Sequence, residues 1–358
     1  MAELRFRGRR RWPWHREGVV ARGRRHWIRA LLAVLVTAAV VVPLTAATRP
    51  TIPAPAPAVL PAPTATTLDE AYAANRANAA LASRMAAAHG DRHRATSDRV
   101  LAAPSRRLLS FDARGSGRAI EVFGDLAHAD RVAVLVPGSD TSLDTYERFR
   151  AGAAALHDRL TRQTGAGAEA EASAGSEVGA GAGDGSRTAV VAWLGYTTPG
   201  TISTTAITPS RADEAAPDLR EFISTLRAVT GPEAHVTLVC HSYGTVVCGR
   251  AAPGLDVDDL VLLGSPGMGV DSAADLHTRA RVWAGRGADD WVADVPHVSA
   301  DLFGTTVGFG ADPMSRSFGA HVFAAGRGGH SDYFTPGSAS LANLARIVLG
   351  DTTSVTHA

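Results

Sequence analysis

The chain has 358 residues, 45% of them hydrophobic, and all 36 of its lysine-plus-arginine positions are arginine. That length suits one large domain with extensions, and the lack of lysine excludes Schiff-base chemistry, a lysine general base and a lysine-bearing phosphate loop. The formal net charge of +1 hides a split: residues 1–29 carry ten arginines against two glutamates, leaving 26 arginines against 33 acids, and a mildly acidic body argues against a nucleic-acid surface.

The basic end has the form of a targeting segment. Uncharged "ALLAVLVTAAVVVPLTAA" (Ala30 to Ala47) follows the arginines, at the lower limit for a membrane-spanning helix. Arginines on its N-terminal side keep that end in the cytoplasm. "RRHWIR" (Arg24 to Arg29) has the twin-arginine pattern. Thr45, Ala46 and Ala47 supply small residues for cleavage after Ala47. Cleaved, residues 1–47 are an export signal; uncleaved, they are an anchor, and the sequence leaves both open. Either way the body is expected outside the cytoplasmic membrane.

Residues 48–67 alternate proline with small residues, a composition for an extended spacer. Residues 68–104 read as a helical extension, with Leu68, Tyr72, Leu81 and Met85 at helical intervals and Asp69 and Glu70 in the first turn. From 105 to 350 the pattern changes. "RRLLSFD" and "GRAIEVFGD" suggest a hairpin. "RVAVLV", "TAVVAWL", "HVTLVCH", "DDLVLL" and "ARVWAG" are continuously apolar runs, set among helical segments such as "DEAAPDLREFISTLRAVT" and "SASLANLARIVL". Such runs predict an α/β fold: a mostly parallel central sheet with helices on both faces. Residues 165–186, rich in Gly, Ala and Glu, read as a disordered insertion between a helix and the next strand. Two cysteines are too few for a disulfide framework; Cys240 and Cys248 read as small buried hydrophobes with free thiols.

Sites in such sheets lie at the carboxyl ends of the strands. "HVTLVCHSYGTVVCGRAA" places Ser242 at a strand-to-helix turn, the context of the nucleophile elbow G-x-S-x-G. Gly244 satisfies the second glycine; Cys240 stands where the first belongs. A serine here also serves as an ordinary helix cap. The partners of a serine nucleophile should follow it in the order acid, then histidine. "AGRGADDWVADV" offers Asp290, with Asp289 close behind it, and Asp271 after the preceding strand is a third candidate. "GRGGHSDYF" places His330 on a glycine-rich loop near the C-terminus, where it can reach the serine as general base. His321 reads as a packed strand residue, and His241 as a structural neighbour pointing away from the nucleophile. An oxyanion hole needs two convergent N–H groups. The Tyr243 amide is one candidate, and the Ser139 amide in "LVPGSDTS" the other; the second segment also fits a plain Pro-Gly turn.

From about Arg106 to Gly350 the chain resembles the alpha/beta hydrolase superfamily. It looks most like a branch without assigned substrate, common in high-GC Gram-positive bacteria, that carries a V-P-G loop, a G-H-S-Y-G elbow and a late G-H-S-D-Y loop. Here these are "VPGSDTS", "CHSYGT" and "GHSDYF". The resemblance implies a triad of Ser242, an acid near Asp290, and His330. Cys240 departs from the branch's glycine. The function expected is an exported or anchored serine esterase with no cofactor or metal, acting on a small acyl ester or lipid-like substrate. An acyltransferase with the same triad and a hydrolase-shaped binding protein are the alternatives. Oligomeric state is not written in the sequence.

Overall fold

The computed structural model describes residues 52–173, 187–201, 208–295, 299–302 and 305–358. The basic leader, the apolar segment Ala30–Ala47 and its cleavage site lie outside the described residues, as do positions 174–186 of the expected insertion. Among the described residues no helix is long and apolar enough to cross a membrane.

Among the described residues the main sheet has eight strands. In chain order they are β1 (Leu108–Asp112), β2 (Arg118–Gly124), β3 (Arg131–Val136), β4 (Thr188–Leu194), β5 (His235–His241), β6 (Asp259–Leu263), β7 (Arg281–Gly285) and, after a small hairpin of β8 (Ser299–Leu302) and β9 (Thr305–Gly308), β10 (His321–Val322). Their spatial order is β1-β2-β4-β3-β5-β6-β7-β10. The pairs β1–β2 and β2–β4 are antiparallel, and the rest of this sheet is parallel. The hairpin expected near residue 110 is therefore the antiparallel edge of an otherwise parallel sheet.

Among the described residues six helices accompany it: α1 (Leu68–His89), α2 (Arg92–Leu101), α3 (Tyr146–Ser173), α4 (Ser210–Thr230), α5 (Gly244–Ala251) and α6 (Ala339–Leu349). Side chains of a strand alternate between the two faces. In β3, Val132, Val134 and Val136 join one apolar layer with Leu219 and Ile223 of α4 and Val246 and Val247 of α5. Ala133 and Leu135 join the opposite layer with Leu156 and Leu160 of α3 and Leu344 and Ile347 of α6. Both faces are covered, so both alternating sets are apolar; that is why the strands read as unbroken apolar runs. The proline-alternating run has no helix or strand from residue 52 to 63. It touches the body, where Ala54 packs on the core and Asn78 donates to the Ala56 carbonyl (3.0 Å).

One boundary needs correction. Helix α3 runs on to Ser173, into the segment 165–186 expected to be disordered. The expectation rested on the lack of large apolar residues. That lack bears on burial, whereas alanine and glutamate remain strong helix formers once a helix is already nucleated.

Register decides where chemistry collects. Val136 lies beside Cys240, His241 beside Leu263, and Leu263 beside Gly285. The loops that leave β3, β5, β6 and β7 therefore emerge side by side.

The start of α3, which walls this region, is held by α2. Arg94 is buried and grips Asp144 through Nε (2.7 Å) and Nη2 (3.0 Å). It also donates to the carbonyls of Ala113 and Gly115. One turn further on, Asp98 is buried, and neither carboxyl oxygen has a partner among the described residues. Burial pushes its pKa up to about 7 against the pull of Arg94. A carboxyl whose pKa is raised in the fold weakens the fold as it ionises, so stability falls as pH rises from the ordinary carboxylate range towards 7 and is level above it. Thermal melts across that range should show Asp98→Asn gaining on the wild type with rising pH, with no gain at the acid end. A difference independent of pH would show that Asp98 does not carry this linkage.

Candidate active site

Ser242 sits between β5 and α5 with φ +54°, a left-handed conformation that costs energy for any residue with a side chain. Only Asp140 and His277 share a positive φ among the described non-glycine residues. Tertiary contacts hold the strain. The Ser242 amide donates to the Leu263 carbonyl of β6 (2.9 Å), and its own carbonyl accepts from the Thr245 amide (2.9 Å) and hydroxyl (2.7 Å). Gly244 is needed for the crossing: a Cβ there would lie 2.7 Å from the Val136 carbonyl oxygen and 2.6 Å from that of Pro137.

His330 meets the serine, with Nε2 2.7 Å from Ser242 Oγ. Its Nδ1 lies 2.9 Å from Asp290 Oδ1 and 3.1 Å from Oδ2. A carboxylate accepts, so Nδ1 carries the proton and Nε2 is free to take one from the serine hydroxyl. Asp290 is buried and has two further donors, the Val292 amide (2.9 Å to Oδ1) and the Tyr333 hydroxyl on Oδ2. Burial alone would raise its pKa. The donations from His330, Tyr333 and Val292 outweigh it and hold the carboxyl at about 2. A hydroxyl placed this way can pass its proton to the imidazole as it attacks an electrophile, and the carboxylate stabilises the resulting imidazolium.

The other candidates are elsewhere or differently occupied. Asp289 and Asp271 are exposed and neither bonds His330. His321 is in a strand, as expected, but is exposed with its ring 5.0 Å from that of Trp283, rather than packed. His241 does not point away from the site. Its Nε2 donates to the His330 carbonyl (2.7 Å), and the two rings lie 4.8 Å apart. Burial, then the neighbouring His330, push its pKa down to about 4, so it stays neutral. Next to Ser242, it braces the loop that carries His330.

Ser139 and Tyr243 flank the serine. A Cβ on Gly138 would fall 2.6 Å from Ser242 Cβ and 3.2 Å from its Oγ, so the β3 loop abuts the hydroxyl. The Pro137 carbonyl is pinned by the buried Tyr196 hydroxyl (2.7 Å). Neither the Ser139 nor the Tyr243 amide finds an acceptor among the described residues. Both residues line a cavity of about 980 Å³ that opens onto Ser242 and His330. Its wall is mostly apolar, with Phe149, Ala155, Val239, Phe309 and Phe334 among the contributors. Trp291 stands half exposed at this site, its ring 4.8 Å from that of His330.

A family model described as "Alpha/beta hydrolase" matches residues 112–300, more than half of the chain. The chain belongs to the alpha/beta hydrolases. Among its relatives is the uncharacterized protein Rv2079 of Mycobacterium tuberculosis (strain ATCC 25618 / H37Rv), 30% identical over 262 residues that make up 66% of this chain and 37% of that protein. Another is the uncharacterized protein Mb0988c of Mycobacterium bovis, 31% identical over 196 residues, 51% of this chain and 66% of that protein. The chain thus spans little more than a third of the length of the first of these. A solved a/b serine hydrolase without lid, from Xanthomonas campestris, aligns over 70% of this chain and 95% of its own at 17% identity and a TM-score of 0.39.

In this alpha/beta hydrolase three further residues belong to the site's framework. Tyr333 secures Asp290 and accepts from the Gly287 amide (3.3 Å). Asp332 closes the histidine loop by accepting from the Gly329 amide (2.8 Å). Gly264 has φ +53°, and a Cβ there would lie 2.6 Å from Asp290 Oδ2 and 3.0 Å from His330 Nδ1. The signal for the first two lay in "GHSDYF": every polar residue after the histidine except Ser331 has a structural duty. Gly264 had no signal beyond being a glycine at a strand end. Tyr333→Phe removes one donor to a carboxylate, an interaction worth about 1.5–3 kcal/mol. Fluorophosphonate labelling of Ser242 should slow about tenfold in that variant; an unchanged rate would remove Tyr333 from the site.

Proposed function

We propose that this protein is a serine hydrolase that cleaves carboxylic esters outside the cytoplasmic membrane, with Ser242, His330 and Asp290 as its triad. The observation that carries the reading is the 2.7 Å contact of Ser242 Oγ with His330 Nε2, backed by Asp290 on Nδ1. Ser242 attacks the ester carbonyl as His330 takes its proton. The tetrahedral oxyanion is held by the amides of Ser139 and Tyr243, which have no other acceptor among the described residues. His330 then protonates the departing alcohol. Water, activated by the same histidine, releases the acid from Ser242. Nothing in these steps calls on a cofactor. The mostly apolar cavity favours a small acyl ester or lipid-like substrate over a polar polymer.

Location has its own support. The charge split and the apolar segment Ala30–Ala47 describe an export signal or anchor. The disulfide between Cys240 and Cys248 favours an oxidising compartment. Cell fractionation should find the protein in the membrane or outside the cell; full-length chain confined to the soluble cytoplasm would overturn this part.

The reaction is tested by fluorophosphonate labelling and short-chain ester hydrolysis with the full chain. Labelling should map to Ser242 and vanish in Ser242→Ala, and hydrolysis should fall by about 10³-fold or more in Ser242→Ala and His330→Ala. A folded wild type that neither labels nor hydrolyses would leave a binding protein of hydrolase shape.

A further inference from the structure

Cys240 and Cys248 are joined by a disulfide across a separation of eight residues, where free thiols were expected. The bridge ties the penultimate residue of β5 to the middle of α5. The elbow, with Ser242 two residues beyond Cys240, lies inside the loop it closes. Cys240 also occupies the position at which the elbow pattern has glycine. Both residues are fully buried, in the apolar layer that holds Val246, Val247, Leu262 and Met268.

Helix α5 has little room to move. At its start, a Cβ on Gly244 would lie within 2.7 Å of both the Val136 and Pro137 carbonyl oxygens. Near its end, a Cβ on Gly249 would lie 2.7 Å from the Met268 carbonyl oxygen. The helix is wedged between the end of β3 and the loop after β6. Two sulfurs without a bond between them cannot sit as close as a bonded pair, and a packed interior offers no slack for the difference. Reduction must therefore shift α5 against β5 or turn a cysteine out of its rotamer. Ser242, strained at φ +54°, sits at the hinge between the two elements, and its 2.7 Å contact with His330 depends on their alignment.

We infer that the Cys240–Cys248 disulfide is the positioning element of the elbow, taking the place of the missing glycine and making the reactivity of Ser242 depend on oxidation. The inference rests on the serine-hydrolase reading. Closure is an exchange that balances: the two thiols lose two protons and two electrons to a disulfide oxidant, either a thiol–disulfide oxidoreductase or a low-molecular-weight disulfide. The exchange passes through a mixed disulfide, and the oxidant leaves as two thiols. A chain in a reducing cytoplasm would then hold Ser242 idle, and the elbow would tighten after export.

The test uses the full chain in oxidised form and after dithiothreitol, with thiols counted by alkylation and intact mass, circular dichroism to confirm folding, and the fluorophosphonate labelling rate as readout. The reduced protein should label at least about tenfold more slowly than the oxidised one. The double variant Cys240→Gly/Cys248→Ala, which restores the glycine, should label within about threefold of the oxidised wild type whether or not dithiothreitol is present. If the reduced wild type does not stay folded, Cys248→Ser replaces it in the comparison, since it keeps two unbonded atoms crowded where the bond stood; it should be the slow form. The inference fails if the reduced, folded protein labels at the oxidised rate, or if the glycine variant labels no faster than the form with an unbonded sulfur. Absence of labelling in the oxidised wild type is a different result, and overturns the hydrolase reading itself.

Discussion

The site depends on one close crossing. Helix α5 starts so near the end of β3 that position 244 has no room for a side chain, because the carbonyls of Val136 and Pro137 occupy the space. That approach forces the turn between β5 and α5 to be tight, and the tight turn puts Ser242 at positive φ. The strain is local, while the restraint is distributed. The Leu263 carbonyl, the Thr245 side chain and the flanking disulfide each fix one side of the turn. A serine raised on such a turn stands clear of the sheet, where a histidine on a neighbouring loop can reach it.

A second requirement follows, because a histidine on a loop does not hold its own position. Here the loop is braced at three points. His241 donates to the His330 backbone, Asp332 closes the Gly329 turn, and Tyr333 reaches down to Asp290. Asp290 in turn receives donors on both oxygens. Gly264 leaves open the space in which Asp290, Tyr333 and His330 come together. Each group restrains its neighbour, the condition under which a buried polar network gives geometric precision.

Much of the architecture was legible in the residues themselves. Continuously apolar strand runs imply a sheet covered on both faces, and strand ends are where a parallel sheet places polar loops. The order of Ser242, Asp290 and His330 along the chain, each in a turn-rich segment after an apolar run, singled them out. Composition misled in two places. The Gly/Ala/Glu segment lacks residues to bury but not the capacity to continue a helix, and α3 continues to Ser173. The two cysteines were too few to count as a framework, yet a single pair eight residues apart is enough when strand and helix double back on each other.

The sequence by itself determined the alternation of strand and helix, the layering of the core and the identity of the serine, acid and histidine candidates. These depend on local periodicity and chain order, which are one-dimensional properties. Only the tertiary structure brought Asp290 rather than Asp289 to His330, turned His241 towards the histidine loop, gave Tyr333 and Gly264 their duties and joined Cys240 to Cys248. Each of those outcomes is a distance between atoms far apart in the chain or on opposite sides of a turn. Such distances are set by strand register and by the close approach of α5 to β3, and no pattern of residue types along the chain records them.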